Sequence, residues 1–150
     1  MKPIVTWILI ADAARARIIA HTGPGKGLQA VPNRTFDHDL QGNQDIMADR
    51  EGRSFSSGSG GRRSAMERPS DPARRDKQAF AGELAGVLEK DLQKGAYDRL
   101  VMVAPPKMLG DLRAALASNV SDAVYGELDK DLTHVADRDL PPHLDGVLAV

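Results

Sequence analysis

The hydrophobic positions along the chain show two periods. Ile4-Val5-Thr6-Trp7-Ile8-Leu9-Ile10 is a continuous, β-branched run, as expected of a central strand buried on both faces. Asp12-Ala13-Ala14 makes a short turn, and Arg15 to His21 follows as a hairpin partner. Thr22-Gly23-Pro24-Gly25-Lys26-Gly27 is a strong turn signal. Leu28 to Phe36 reads as a third strand, and Pro32 puts it at an edge because proline cannot donate to a ladder. From Asp37 to Ser70 periodicity disappears. A helical period begins at Asp71-Pro72, an N-cap followed by a first-turn proline. Phe80, Leu84, Val87, Leu88 and Leu92 then form one helical face, and Gly95 marks its stop.

Arg99 to Ala104 is again a buried strand. Pro105-Pro106 opens a helix with Met108, Leu109, Leu112, Ala115 and Leu116 inward. Val124 to Leu128 reads as the last strand, and Asp139 as the cap of a final helix carrying Leu144, Val147 and Leu148. The order β-β-β-loop-α-β-α-β-α predicts an α/β (α+β) fold, a mixed sheet covered by helices. At 150 residues the chain suits one domain, 1–150, interrupted by a long loop over 41–70. Gly110 and Gly126 read as packing or bulge positions and Trp7 as core.

Composition narrows the chemistry. A formal net charge of −1 excludes a uniformly basic nucleic-acid binder, though not a local basic patch. Aromatics at 4% argue against a base-stacking surface. With no cysteine, disulfides, thiolate catalysis and cysteine-bound metals are excluded. No segment approaches the ~20 apolar residues of a membrane helix. The apolar run after Lys2 lacks a polybasic start and a cleavage site, so a cytoplasmic location without membrane contact is the expectation.

The loop is the most informative stretch. Together with the start of the following helix it carries Arg50, Arg53, Arg62, Arg63, Arg68, Arg74, Arg75 and Lys77. Guanidinium forks match phosphate oxygens, and Gly60 and Gly61 let a backbone come close. The alternative is a solvated loop in which these bases are interleaved with Asp49, Glu51, Glu67, Asp71 and Asp76. Asp12 ends the first strand, where ribonuclease-H-like nucleases keep a metal-binding carboxylate, and Asp129 and Asp131 follow the last strand. Two-metal phosphoryl chemistry needs several carboxylates around shared ions, and spacing alone does not bring these three together. Asp12 reads better as a turn residue whose side chain caps the hairpin backbone. His21, His38, His134 and His143 are scattered, with no i, i+4 pair, and read as surface or structural residues. There is no Gly-x-Ser-x-Gly elbow, and Gly58-Ser59-Gly60-Gly61 lacks the lysine of a phosphate loop. No cofactor is expected.

Two stretches carry a family resemblance. Trp7-Ile8-Leu9-Ile10-Ala11-Asp12-Ala13-Ala14-Arg15-Ala16-Arg17 is one. Asp49-Arg50-Glu51-Gly52-Arg53-Ser54-Phe55, a glycine run, Arg63-Ser64-Ala65-Met66-Glu67 and Asp71-Pro72 make the other. Together they resemble the bacterial host-attachment family. That resemblance implies kinship with bacterial release-factor-like proteins, with the middle domain of archaeal and eukaryotic class-1 release factors and with Pelota, and hence a ribonuclease-H-like mixed sheet. The segment Arg99 to Leu116 is similar to the strand–turn–helix of that domain. Release factors carry Gly-Gly-Gln on the loop before the first long helix, where this chain has Gly60-Gly61-Arg62. The missing glutamine removes peptidyl-tRNA hydrolysis from what the resemblance implies.

The resulting expectation is a non-enzymatic module associated with RNA or the ribosome, in translation, contacting phosphate through Arg50, Arg53, Gly60, Gly61, Arg62, Arg63 and Arg68. The alternatives are a metal-dependent nuclease or diverged hydrolase using Asp12, with Asp129 as a further candidate, and an indirect role in host attachment through protein partners. The Leu28–Phe36 edge also allows a homodimer.

Overall fold

The computed structural model describes residues 3–37 and 72–150. Among the described residues five strands form one mixed sheet: β1 (Thr6–Ala11), β2 (Arg15–His21), β3 (Gln29–Asp37), β4 (Arg99–Val103) and β5 (Val124–Leu128). Their order across the sheet is β3-β2-β1-β4-β5. The β1–β2 and β2–β3 pairs are antiparallel, whereas β1–β4 and β4–β5 are parallel. This is the α/β fold with a mixed sheet that the periodicity predicts. Every residue of β1 is buried, as a central strand packed on both faces requires. Among the described residues no helix is long and apolar enough to cross a membrane.

One face is covered by helices: α1 (Pro72–Gln93), α2 (Pro106–Ala115) and α3 (Ser118–Ala123). Phe80, Ala81, Leu84 and Leu88 of α1, with Met108, Leu109 and Leu112 of α2, pack on Trp7, Leu9, Ile18, Leu100 and Met102. The buried row of α1 thus runs through Ala81 and Ala85, and Val87 is only half-buried. Gly95 ends α1 in the left-handed conformation (φ 77°) that glycine tolerates. One expectation for α2 fails at its last turn, where Ala115 is exposed, whereas Leu116 is half-buried and packs against the core as expected. The chain leaves the helix at Leu116 (ψ 137°) to start α3, a one-and-a-half-turn element too short to show a period. Gly110 meets nothing at its missing Cβ, so it is not a packing position. Gly126 is: a Cβ there would sit 3.4 Å from Val147. It follows a bulge, since Leu100 pairs with Val124 and Val101 with Gly126, leaving Tyr125 unpaired.

The other face, formed by Ile8, Ile10, Ile19, Val101 and Val103, is closed by a strap of chain after β5. The strap is not the long final helix expected from Asp139. It contains a 3-10 turn (Asp137–Asp139) and a four-residue helix, α4 (Pro141–Leu144), and Asp139 caps neither through its side chain. Leu132, Leu140, Leu144 and Leu148 bury its apolar side. Arg17 of β2 fixes its near end. The guanidinium donates to Asp137 Oδ1 (2.9 Å), to the Thr133 carbonyl (3.1 Å) and to the Val135 carbonyl.

The β3 edge is irregular. Arg17 pairs with Thr35 but Ile19 with Ala30, so β3 spends three extra residues opposite Ile18. Pro32 and Asn33 (φ 63°) occupy that excursion, where neither a missing N–H nor a positive φ disrupts the ladder. Arg34 then reaches across to the buried Asp91 of α1 as a bidentate pair, at 2.7 and 2.8 Å.

Replacing Arg17 by methionine keeps much of the stem and removes three hydrogen bonds, one of them to a carboxylate. Urea denaturation is expected to show a loss of about 2–3 kcal/mol, and a change under ~0.5 kcal/mol would contradict the anchoring role.

Candidate functional site

β1 and β4 end at one edge of the sheet, the carboxyl edge, where open α/β sheets form ligand crevices. Asp12 follows β1 there. Its Oδ1 accepts the N–H groups of Ala14 (2.8 Å) and Arg15 (2.7 Å), and its own N–H donates to the Arg15 carbonyl (2.8 Å). Asp12 is therefore the capping residue of the β1–β2 turn, one of its two expected roles. Its second oxygen is directed elsewhere. Oδ2 lies 3.2 Å from the Thr133 hydroxyl, which is also 2.5 Å from Asp131 Oδ1. One hydroxyl proton is thus shared between two carboxylates. The Arg15 guanidinium, 3.8 Å from Asp12, offsets part of their repulsion. Hydrogen bonding by the Thr133 hydroxyl, then by its backbone N–H, with the charges of His134 and Arg15, holds the Asp131 carboxyl below the ordinary range.

The strap brings a third donor. One ligand atom from each of Asp12, Asp131 and His134 lies within 4.8 Å of the other two. Two carboxylates and an imidazole are a donor set suited to Mg²⁺ or Mn²⁺, with Mn²⁺ favoured by the nitrogen. Asp129, the other sequence candidate, is exposed at the end of β5 and is not one of the three. His134, read from the sequence as a surface or structural residue, is exposed and is one of the three. A cleft of about 250 Å³ adjoins the group, lined by Arg15, Arg17, Thr35, Phe36, Asp37 and Thr133.

Of the basic residues singled out in the sequence, Arg50, Arg53, Arg62, Arg63 and Arg68, with Gly60 and Gly61, lie outside the described residues. Arg74 is not free for phosphate, because its guanidinium makes a bidentate pair with Asp111 of α2. Arg75 and Lys77 are exposed, His143 is exposed on α4, and His38 lies outside the described residues.

The ends of the undescribed segment are informative. Asp37 lines the cleft and pairs with Arg15, so the chain departs at the carboxyl edge. It resumes at Pro72. The far end of α1 leads through Gly95 to Arg99, beside Thr6 at the opposite edge. α1 therefore runs antiparallel to β4, with its first turn towards the carboxyl edge.

A family model described as "Protein required for attachment to host cells" matches residues 7–144. The chain belongs to this family. The resemblance carried by the Trp7–Arg17 and Asp49–Pro72 stretches is borne out at that level. No curated protein matches the chain. The matched span of this family member runs from β1 to α4 and includes Asp12, Arg17, Asp131 and His134.

Asp12 has separable duties. Asp12→Asn keeps an oxygen for the two backbone N–H groups, whereas Asp12→Ala removes it. The alanine variant is expected to lose about 1.5–3 kcal/mol and the asparagine variant under ~1 kcal/mol by urea denaturation. Equal losses would show that the turn cap is not what Asp12 contributes.

Proposed function

We propose that this host-attachment family member is a non-enzymatic module that binds RNA, on the ribosome or as structured RNA, through its arginine- and glycine-rich segment. The observation that carries the reading is the clustering of arginine in that segment, with Arg50, Arg53, Arg62, Arg63 and Arg68 falling within nineteen residues of sequence among glycines. Asp37, the last described residue before it, lines the carboxyl-edge cleft with Arg15. Guanidinium groups closely spaced along a chain match successive phosphates, and glycine neighbours keep the approach unobstructed. The similarity of Arg99–Leu116 to the release-factor middle domain, with Gly60-Gly61-Arg62 in place of the catalytic tripeptide, supports binding without peptidyl-tRNA hydrolysis. On this reading the attachment role in the family's description is indirect.

Titration with purified ribosomes and with an RNA hairpin across a salt series tests it. Affinity is expected to fall log-linearly with salt, by about 0.7–0.9 of slope per phosphate contact. The Arg62→Ala/Arg63→Ala double variant should lower that slope by roughly 1.4–1.8. No binding at low salt, or an unchanged slope, overturns the proposal.

A second reading, metal-dependent phosphodiester cleavage, is favoured by the convergence of Asp12, Asp131 and His134 within 4.8 Å. The residues would hold the ion and orient an attacking water. Mn²⁺-dependent RNA cleavage that disappears in Asp12→Asn and in Asp131→Asn would establish it. Because Asp12→Asn preserves the turn cap, loss there is not loss of fold. Turnover identical with and without divalent cations would end this reading.

A further inference from the structure

The opposite edge, where β1 and β4 begin, holds an anomaly. Thr6, His21 and Arg99 sit at one register level on β1, β2 and β4. Strand alternation puts them on the face that is otherwise Ile8, Ile10, Ile19, Val101 and Val103. Three polar side chains in a row therefore stand where the pattern calls for aliphatic ones. Thr6 is fully buried, and its hydroxyl accepts from Arg99 Nε at 3.2 Å. His21 is 3% exposed, and its Nε2 is buried without a hydrogen-bond partner among the described residues. Buried polar atoms in folded proteins are almost always paired, so an unpaired one marks a place where something else belongs.

Arg99 differs from the arginines that fasten the fold together. Arg15, Arg17, Arg34, Arg74 and Arg113 make ion pairs with carboxylates, whereas Arg99, like Arg75 and Arg138, makes none among the described residues. Its guanidinium lies 3.8 Å over the ring of Tyr125, the residue that the β5 bulge leaves unpaired. One donor on Thr6 and a plane stacked on an aromatic ring fix the fork while leaving its outer N–H groups free. His21 and Arg99 share a cleft of about 400 Å³ with Tyr125, Ile4, Leu148 and the Thr22–Pro24 turn. That volume is within the range of small-molecule sites.

We propose that this cleft binds a small organic oxyanion, a carboxylate or phosphate head on a compact apolar body. The head sits in the outer fork of Arg99, the side chain whose planar donors match such groups bidentately. The Nε2 tautomer of His21 donates the second contact. Ile4 and Leu148 face the apolar body. Burial, and after it the charge of Arg99, holds the His21 pKa below its ordinary value. The imidazole is thus neutral at neutral pH, and the site presents one cation to one anionic head. Nothing here depends on the carboxyl edge, so this proposal and the RNA reading stand or fall separately.

Benzoate and phenyl phosphate, titrated into the full chain at constant ionic strength, are the test. The readout is the NMR resonances of the His21 ring and the Arg99 Nε–H. Saturable shifts of both with at least one probe are expected, and the better probe identifies the head group. Arg99→Gln should weaken binding about tenfold or more, the loss of one charge-assisted contact. Tyr125→Leu changes an exposed residue, leaves the core intact and should weaken binding several-fold by freeing the guanidinium. Shifts that do not saturate, that chloride reproduces, or that persist with equal affinity in Arg99→Gln and Tyr125→Leu overturn the proposal.

Discussion

Arg17 holds the strap to the sheet, and both the second core face and the carboxyl-edge cluster depend on that attachment. The three acceptors it engages lie within residues 133–137, more than a hundred residues away in sequence. Without it, Leu132 would still favour burial, but nothing would set the height at which the strap crosses β2. Thr133 is both an acceptor for Arg17 and the hydroxyl between Asp12 and Asp131. A structural arginine thus positions the polar group beside it. Carboxylates brought this close would repel, and the shared proton of Thr133 and the nearby Arg15 make the arrangement tolerable.

The chemistry of the two sheet edges follows from different local causes. At the carboxyl edge, turn capping by Asp12 and the end of β3 at Asp37 bring charged residues together. At the amino edge, three strand-terminal polar residues share a register level, and a bulge turns Tyr125 outward over Arg99. The apolar sheet between them keeps the two polar groups apart.

Elements held together by short-range rules were legible in the sequence. β2 and β5 fall on the residues that alternation selects, Pro72 opens the long helix, and Gly95 closes it. Asp12 as a turn cap is also local, since its partners are two and three residues away. The strap was misread because Leu140, Leu144 and Leu148 repeat every four residues and suggest a long helix, whereas the chain forms only the four-residue α4 there. Leu132, eight residues earlier, joins the same buried cluster from outside any helix. The meeting of Asp12 with Asp131 and His134 depends on that tertiary path, so no spacing rule reveals it. Thr6 lay inside the run read as the first strand, His21 and Arg99 looked like ordinary strand ends, and only the register shows the three as a row.

The strap has a kinetic consequence. Its contacts with β1 and β2 close loops of more than a hundred residues, whereas the β1–β2 hairpin and the α2–α3 region close short ones. The face on which the strap packs is built jointly by β1, β2 and β4, so the strap docks only once those strands have paired. Until it does, the aliphatic row of Ile8, Ile10, Ile19, Val101 and Val103 faces water on a formed sheet. A folding intermediate of this kind is sticky at high concentration, and the speed at which Arg17 captures the strap sets how long that surface stays open.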